Sequence, residues 1–179
     1  MTDTLWARRW LLRCLYVALG MVLITANLLP LGGMAGGWPG PAVLLCITLA
    51  WTLRRPDAMA VWLIALVILT EDFLLMRPPG LWAALTVLAT EFLRRRPAFT
   101  RELNWIGEWA LMAVLIVAMT LAYRFVFSAA FLPQVPLGYA MLEALATILC
   151  YPVVVAISTW GLGLHKPATG EIDAYGRRM

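Results

Sequence analysis

The chain has 179 residues, 63% of them hydrophobic and 13% charged, with a mean hydropathy of +0.83 and a formal net charge of +4. That balance excludes an ordinary soluble domain and points to an all-α integral membrane protein. Cys14, Cys46 and Cys150 lie in apolar runs without Cys-x-x-Cys spacing, and the single histidine, His165, lies in a polar tail, so no metal centre, cofactor or histidine relay is predicted.

The first apolar run covers roughly 10–29 and has no small-residue cleavage pattern behind it, so it is expected to persist as a helix rather than be removed as a signal peptide. Five more runs follow, roughly 39–53, 58–76, 79–93, 104–127 and 138–162. A spanning helix takes about 20 apolar residues, which predicts one six-helix transmembrane domain over 1–162 and a cytoplasmic tail over 163–179. Arg8, Arg9, Arg13, Arg54, Arg55, Arg94, Arg95, Arg96, Arg101, Lys166, Arg177 and Arg178 then fall on one side, and only Arg77 and Arg124 toward the other. The positive-inside rule therefore predicts both termini inside, and it explains the basic residues as topology markers with no nucleic-acid partner. Trp10, Trp51, Trp105, Trp109 and Trp160 are expected at inner headgroups, Trp38 and Trp82 at outer ones.

The second and fourth runs share a pattern at an offset of forty residues: "PGPAVLLCITLAWTLRR" (39–55) and "PGLWAALTVLATEFLRR" (79–95). Each is read as opened by proline in the first turn and closed by arginines that suit a helix C-terminus. Duplication and shared constraint explain the likeness equally well. Both are short, since about sixteen residues reach only roughly 24 Å against about 30 Å of hydrocarbon, so neighbours must shelter them or the bilayer must thin.

Ionisable residues inside a span normally face the bundle or a partner. Glu91 precedes Arg94 and Arg95 by three and four residues and is expected to pair with them on the helix surface. Glu71 and Asp72 interrupt the third run about 21 Å from its inner end, Arg124 ends the fifth, and Glu143 lies two turns into the sixth. With Arg77 they form a candidate intramembrane charge cluster in the outer leaflet. Three roles fit: a clamp in which Arg124 ties helices three and six through one acid, a docking site for another membrane protein, or a substrate or proton path. The clamp predicts that Arg124→Leu lowers stability more than Arg77→Ala, because stranding a buried acid costs roughly 3–5 kcal/mol. No zinc-protease, hydrolase or phosphate-loop signature occurs, so no enzyme is predicted.

"NLLPLG", "AWTLRRPD", "EDFLLMRPPGLWAAL", "TEFLRRR", "YPVVV" and "GEIDAYGRRM", in this order and spacing, resemble the rod shape-determining MreD family in its alphaproteobacterial form. The likeness covers nearly the whole chain. It implies a small multi-pass protein of the bacterial inner membrane, similar in architecture to the membrane substrate-binding subunits of energy-coupling-factor vitamin transporters. It further implies a non-enzymatic scaffold of the cell-elongation complex, surrounded by membrane lipid, that binds MreC. RodA with its class B penicillin-binding transpeptidase would be further partners, and the MreB filament would be reached indirectly through these proteins. The family's acidic residue near the outer end of helix three and its glycine opening helix four match Asp72 and Gly80. The competing expectation is a small-molecule-binding subunit of the vitamin-transporter type, with a closed polar cavity opening outward.

Overall fold

The computed structural model describes residues 2–29, 39–96 and 103–164. These form six helices and no strand: α1 (Thr2–Leu28), α2 (Val43–Arg54), α3 (Val61–Leu74), α4 (Leu81–Arg95), α5 (Trp105–Ala129) and α6 (Leu137–Leu162). Each overlaps one of the six apolar runs. Three are long and apolar enough to cross a membrane, α1 from Trp6, α5 and α6. The glycine-rich connection with Trp38, residues 97–102 and the end of the tail from His165 lie outside the described residues.

Helix α2 is the centre of the bundle. Every residue from Leu44 to Thr52 is buried, and α1, α4 and α6 pack around it. Around this core the remaining contacts run from α1 to α3, α3 to α4, α4 to α5 and α5 to α6. A helix enclosed on all sides has no lipid-facing length to match, which is why twelve residues suffice for α2. Helix α4, its sequence counterpart, buries only one face, through Ala83, Thr86, Ala89, Thr90 and Leu93. The shared pattern therefore produces two different environments. Nor do prolines open either helix from within. Pro41 and Pro79 each stand two residues before the first helical residue, with Ala42 and Gly80 as the N-caps.

The hydroxyl side chains of α2 enter this core already satisfied. The Thr48 and Thr52 hydroxyls each donate 2.7 Å bonds to the carbonyl one turn back, and Thr48 also meets the Tyr16 hydroxyl at 2.8 Å. The α2 N-terminus is tied to α6 where the Ala42 N–H donates to Thr147 Oγ1 at 3.0 Å. Trp51 is 2% exposed and its indole N–H donates to Ser158 Oγ at 3.1 Å, so it is a core residue and not the headgroup anchor that its sequence position predicts. The reason is that α2 meets other helices where a peripheral helix would meet lipid.

Helix α6 carries Pro152 in its interior. Proline cannot donate to the carbonyl four residues back, which frees the Ile148 oxygen. The Trp109 indole N–H of α5 occupies that acceptor at 2.9 Å. An interhelical bond thus replaces the lost intrahelical one, as a low-dielectric interior requires.

Close approach of α1 to α3 depends on Gly20. A Cβ there would stand 2.7 Å from Cγ1 of the fully buried, β-branched Val67. Gly20→Leu is expected to lower stability by about 1–3 kcal/mol through overpacking, read as a drop in thermal midpoint in detergent. An unchanged midpoint would show that α1 can move away freely.

Candidate functional sites within the bundle

The turn between α3 and α4 is built around Asp72. At the end of α3 the Arg77 N–H donates to the Asp72 carbonyl at 2.9 Å and the Met76 N–H to Phe73 at 3.3 Å, with Met76 in the left-handed region at φ 54°. That is the hydrogen-bond pattern of a helix end closed by a left-handed residue, here without the usual glycine. The chain then reverses through the prolines to Gly80, at φ 92°, which opens α4. Asp72 is fully buried, and its Oδ2 accepts the N–H of Gly80 at 3.1 Å and of Ala83 at 3.3 Å. The carboxylate of one helix therefore caps the next, where the helix dipole also favours negative charge. The two positions singled out by the family resemblance, Asp72 and Gly80, are bonded to each other.

Glu71, one position along, is also buried but receives no hydrogen bond from a described residue. Glu143 of α6 is half-buried and close enough to act electrostatically on Glu71. Arg77 is the cation whose field reaches all three acids. Its guanidinium carbon lies 6.0 Å from the centre of the Trp82 ring, which meets Tyr123 edge-on at 5.6 Å. The cluster thus contains Glu71, Asp72, Arg77 and Glu143, and α5 contributes Tyr123 to it.

Arg124 does not join them. Its Nη1 donates to the Val135 carbonyl at 2.8 Å, while Gln134 Nε2 donates to the Arg124 carbonyl at 3.2 Å. Among the described residues it makes no ion pair, so the predicted clamp between helices three and six is absent. The cause is local. The chain after α5 turns back through Phe131, again left-handed at φ 54°, and brings its own carbonyls beside Arg124. The neighbouring position, Tyr123, takes the inward face. The order of effects expected from sequence reverses: Arg77→Ala should lower stability more than Arg124→Ala, by about 1 kcal/mol, since it removes the cation whose field reaches Glu71, Asp72 and Glu143. Equal shifts would argue against Arg77 as their counter-charge.

The most buried ion pair lies at the opposite end and involves a residue that the hydropathy pattern did not single out. Arg54 Nη1, at the end of α2, donates to Glu108 Oε1 at 2.9 Å, with the two side chains only 4% and 3% exposed. The Tyr151 hydroxyl of α6 donates to the same oxygen at 2.7 Å, and Arg54 Nη1 also reaches the Ala50 carbonyl at 3.3 Å. Three helices meet in this triad. Glu108 stands in the first turn of α5, behind an Asn104 cap that accepts the Gly107 N–H at 2.8 Å, where an acid suits the helix dipole. The available signal was an acid inside "WIGEWALMAV", flanked by two tryptophans and with no basic residue one turn away.

Glu91 forms the expected surface pairs, at 3.6 Å to Arg94 and 3.9 Å to Arg95. Among the described residues no group of three or more histidine, cysteine or acidic side chains is arranged to hold a metal ion. A shallow groove of about 680 Å³ runs along the end of α5, between Leu121, Arg124 and Phe125 on the helix and Leu132 and Gln134 on the returning chain. No family model, curated protein or solved structure matches the chain.

Proposed function

We propose that the chain is a non-enzymatic, six-span scaffold of the bacterial inner membrane with both termini inside, and that it binds MreC within the cell-elongation complex. The family resemblance supplies the partner. What supports a scaffold is how the buried polar groups are used: Arg54, Glu108 and Tyr151 join α2, α5 and α6, Trp51 and Ser158 join α2 and α6, and Asp72 joins α3 to α4. Groups committed to holding helices together make a rigid surface for a partner helix. The contact point that fits best is Glu71 with Glu143, two acids of neighbouring charge that make no ion pair among the described residues and so keep acceptor capacity for a donor from another chain.

Co-purification with MreC in mild detergent tests the proposal. The wild-type chain should retain MreC, Glu71→Lys should retain several-fold less, and Glu91→Lys, at the opposite end of the bundle, should behave as wild type. Failure of the wild-type chain to retain MreC at matched expression would remove the proposal. Equal loss in both variants would remove the contact point alone.

A further inference from the structure

We propose that the groove at the end of α5 binds an anionic phospholipid, with Arg124 holding its phosphate and the adjoining face of α5 carrying an acyl chain. This inference stands apart from the scaffold reading and requires only that α5 crosses a membrane. Helix α5 is among the three helices long and apolar enough to do so, and Arg124 stands five residues before its end at Ala129. That is the level at which a spanning helix passes from hydrocarbon to headgroups.

Among the described residues no acid compensates the charge of the groove. A guanidinium offers five N–H donors, and the bond to Val135 engages one of them. No described acidic residue lines the groove or pairs with Arg124. Ser128 and Gln134 add a hydroxyl and an amide beside the cation. A phosphodiester is the anion that a guanidinium recognises best, through paired N–H bonds. A zwitterionic headgroup would bring an ammonium into a groove that has no carboxylate to receive it, so the site favours a net anionic lipid.

The walls supply the second half of the recognition. Leu121 and Phe125 line the groove on successive turns of α5, and the same exposed face continues to Val114; the three are 51%, 75% and 66% exposed. From Phe125 to Val114 the rise is about 16 Å, close to the ~15 Å of one leaflet's hydrocarbon. A single cation at the head of an apolar track of that length matches a molecule with one anionic group and a long chain. A free phosphate would use the cation and gain nothing from the track.

The test is native mass spectrometry of the full chain released from detergent, titrated with phosphatidylglycerol, and in parallel with phosphatidylethanolamine and with inorganic phosphate. Wild-type protein should retain one phosphatidylglycerol in preference to phosphatidylethanolamine, with no displacement by phosphate. Arg124→Gln should bind it roughly ten-fold more weakly, the loss of a charge-assisted contact, while Arg124→Lys keeps most of the affinity. Arg95→Gln, exposed at the opposite end of the bundle, should bind as wild type. Leu121→Trp fills the track but leaves the charge, and should also weaken retention; it decides the matter if Arg124→Gln does not fold. Equal retention by wild type and Arg124→Gln, displacement of the lipid by phosphate alone, unchanged retention by a folded Leu121→Trp, or a crosslink from position 125 to a polypeptide in place of lipid would each overturn the proposal.

Discussion

Arg54→Leu is expected to destabilise the bundle more than any other single substitution considered, by about 3–5 kcal/mol, the loss typical of breaking a buried ion pair from one side. Glu108 would stay at 3% exposure with the Tyr151 hydroxyl as its remaining neutral donor in the triad. The other interhelical ties are weaker by comparison, because a hydrogen bond between membrane helices contributes on average only about 0.6 kcal/mol. Trp51→Phe or Tyr16→Phe should therefore shift the midpoint far less. The informative variant is the double change Arg54→Leu with Glu108→Leu, which removes both charges together. Replacing a buried pair by apolar groups is often neutral or stabilising, so most of the loss should be recovered, with an interaction energy well outside additivity. Thermal or denaturant unfolding in one detergent measures all four corners of the cycle. A double variant as unstable as Arg54→Leu would mean that the arginine acts through packing of its stem. Its Nε, buried without a hydrogen-bond partner, marks the pair as imperfectly solvated and makes recovery in the double variant easier.

The two buried polar sites differ in how legible they are in the sequence. Helix positions follow from hydropathy, because a run of apolar residues near the membrane-spanning length has few alternatives to helix. The turn at 75–80 is equally local. Two prolines after Met76 and Arg77 cannot continue α3, and Gly80 tolerates the left-handed φ needed to begin α4. Pairing across helices is different, since it depends on packing order. Hydropathy places Arg124 at the same level as Glu71 and Asp72 but gives no rotation about the helix axis. One position, about 100°, separates Tyr123, which faces the acids, from Arg124, which faces the returning chain. For the same reason Arg54 reads as a topology marker beside Arg55, although it is 4% exposed. Only the central position of α2 turns the end of that helix into an interior site, and nothing in "AWTLRRPD" states that α2 is central.

The capping acid gives the second large expected effect, and there the contrast between two substitutions carries the argument. Asp72→Ala removes the acceptor for the Gly80 and Ala83 N–H groups at a site that is fully buried. A surface cap lost to alanine typically costs about 1 kcal/mol because water replaces it. Here the acceptor is buried, and each donor left unsatisfied costs about 1–3 kcal/mol, so a total of roughly 2–6 kcal/mol is expected, toward the lower end because the Gly80 N–H is only partly buried. Asp72→Asn keeps a carbonyl oxygen that can accept both bonds from the same position, and it removes one negative charge from beside Glu71. Its loss should be under about 1 kcal/mol, the difference between a charged and a neutral acceptor. If Asp72 carried a proton or a substrate, the asparagine variant would fold and still lose function. If its role is to cap α4, asparagine should retain both the fold and MreC binding, while alanine loses stability first. Unfolding midpoints of the two variants, read beside MreC co-purification at a temperature where both are folded, separate these roles. Equal midpoints for Asp72→Ala and Asp72→Asn would mean that the Gly80 and Ala83 bonds do not hold the start of α4.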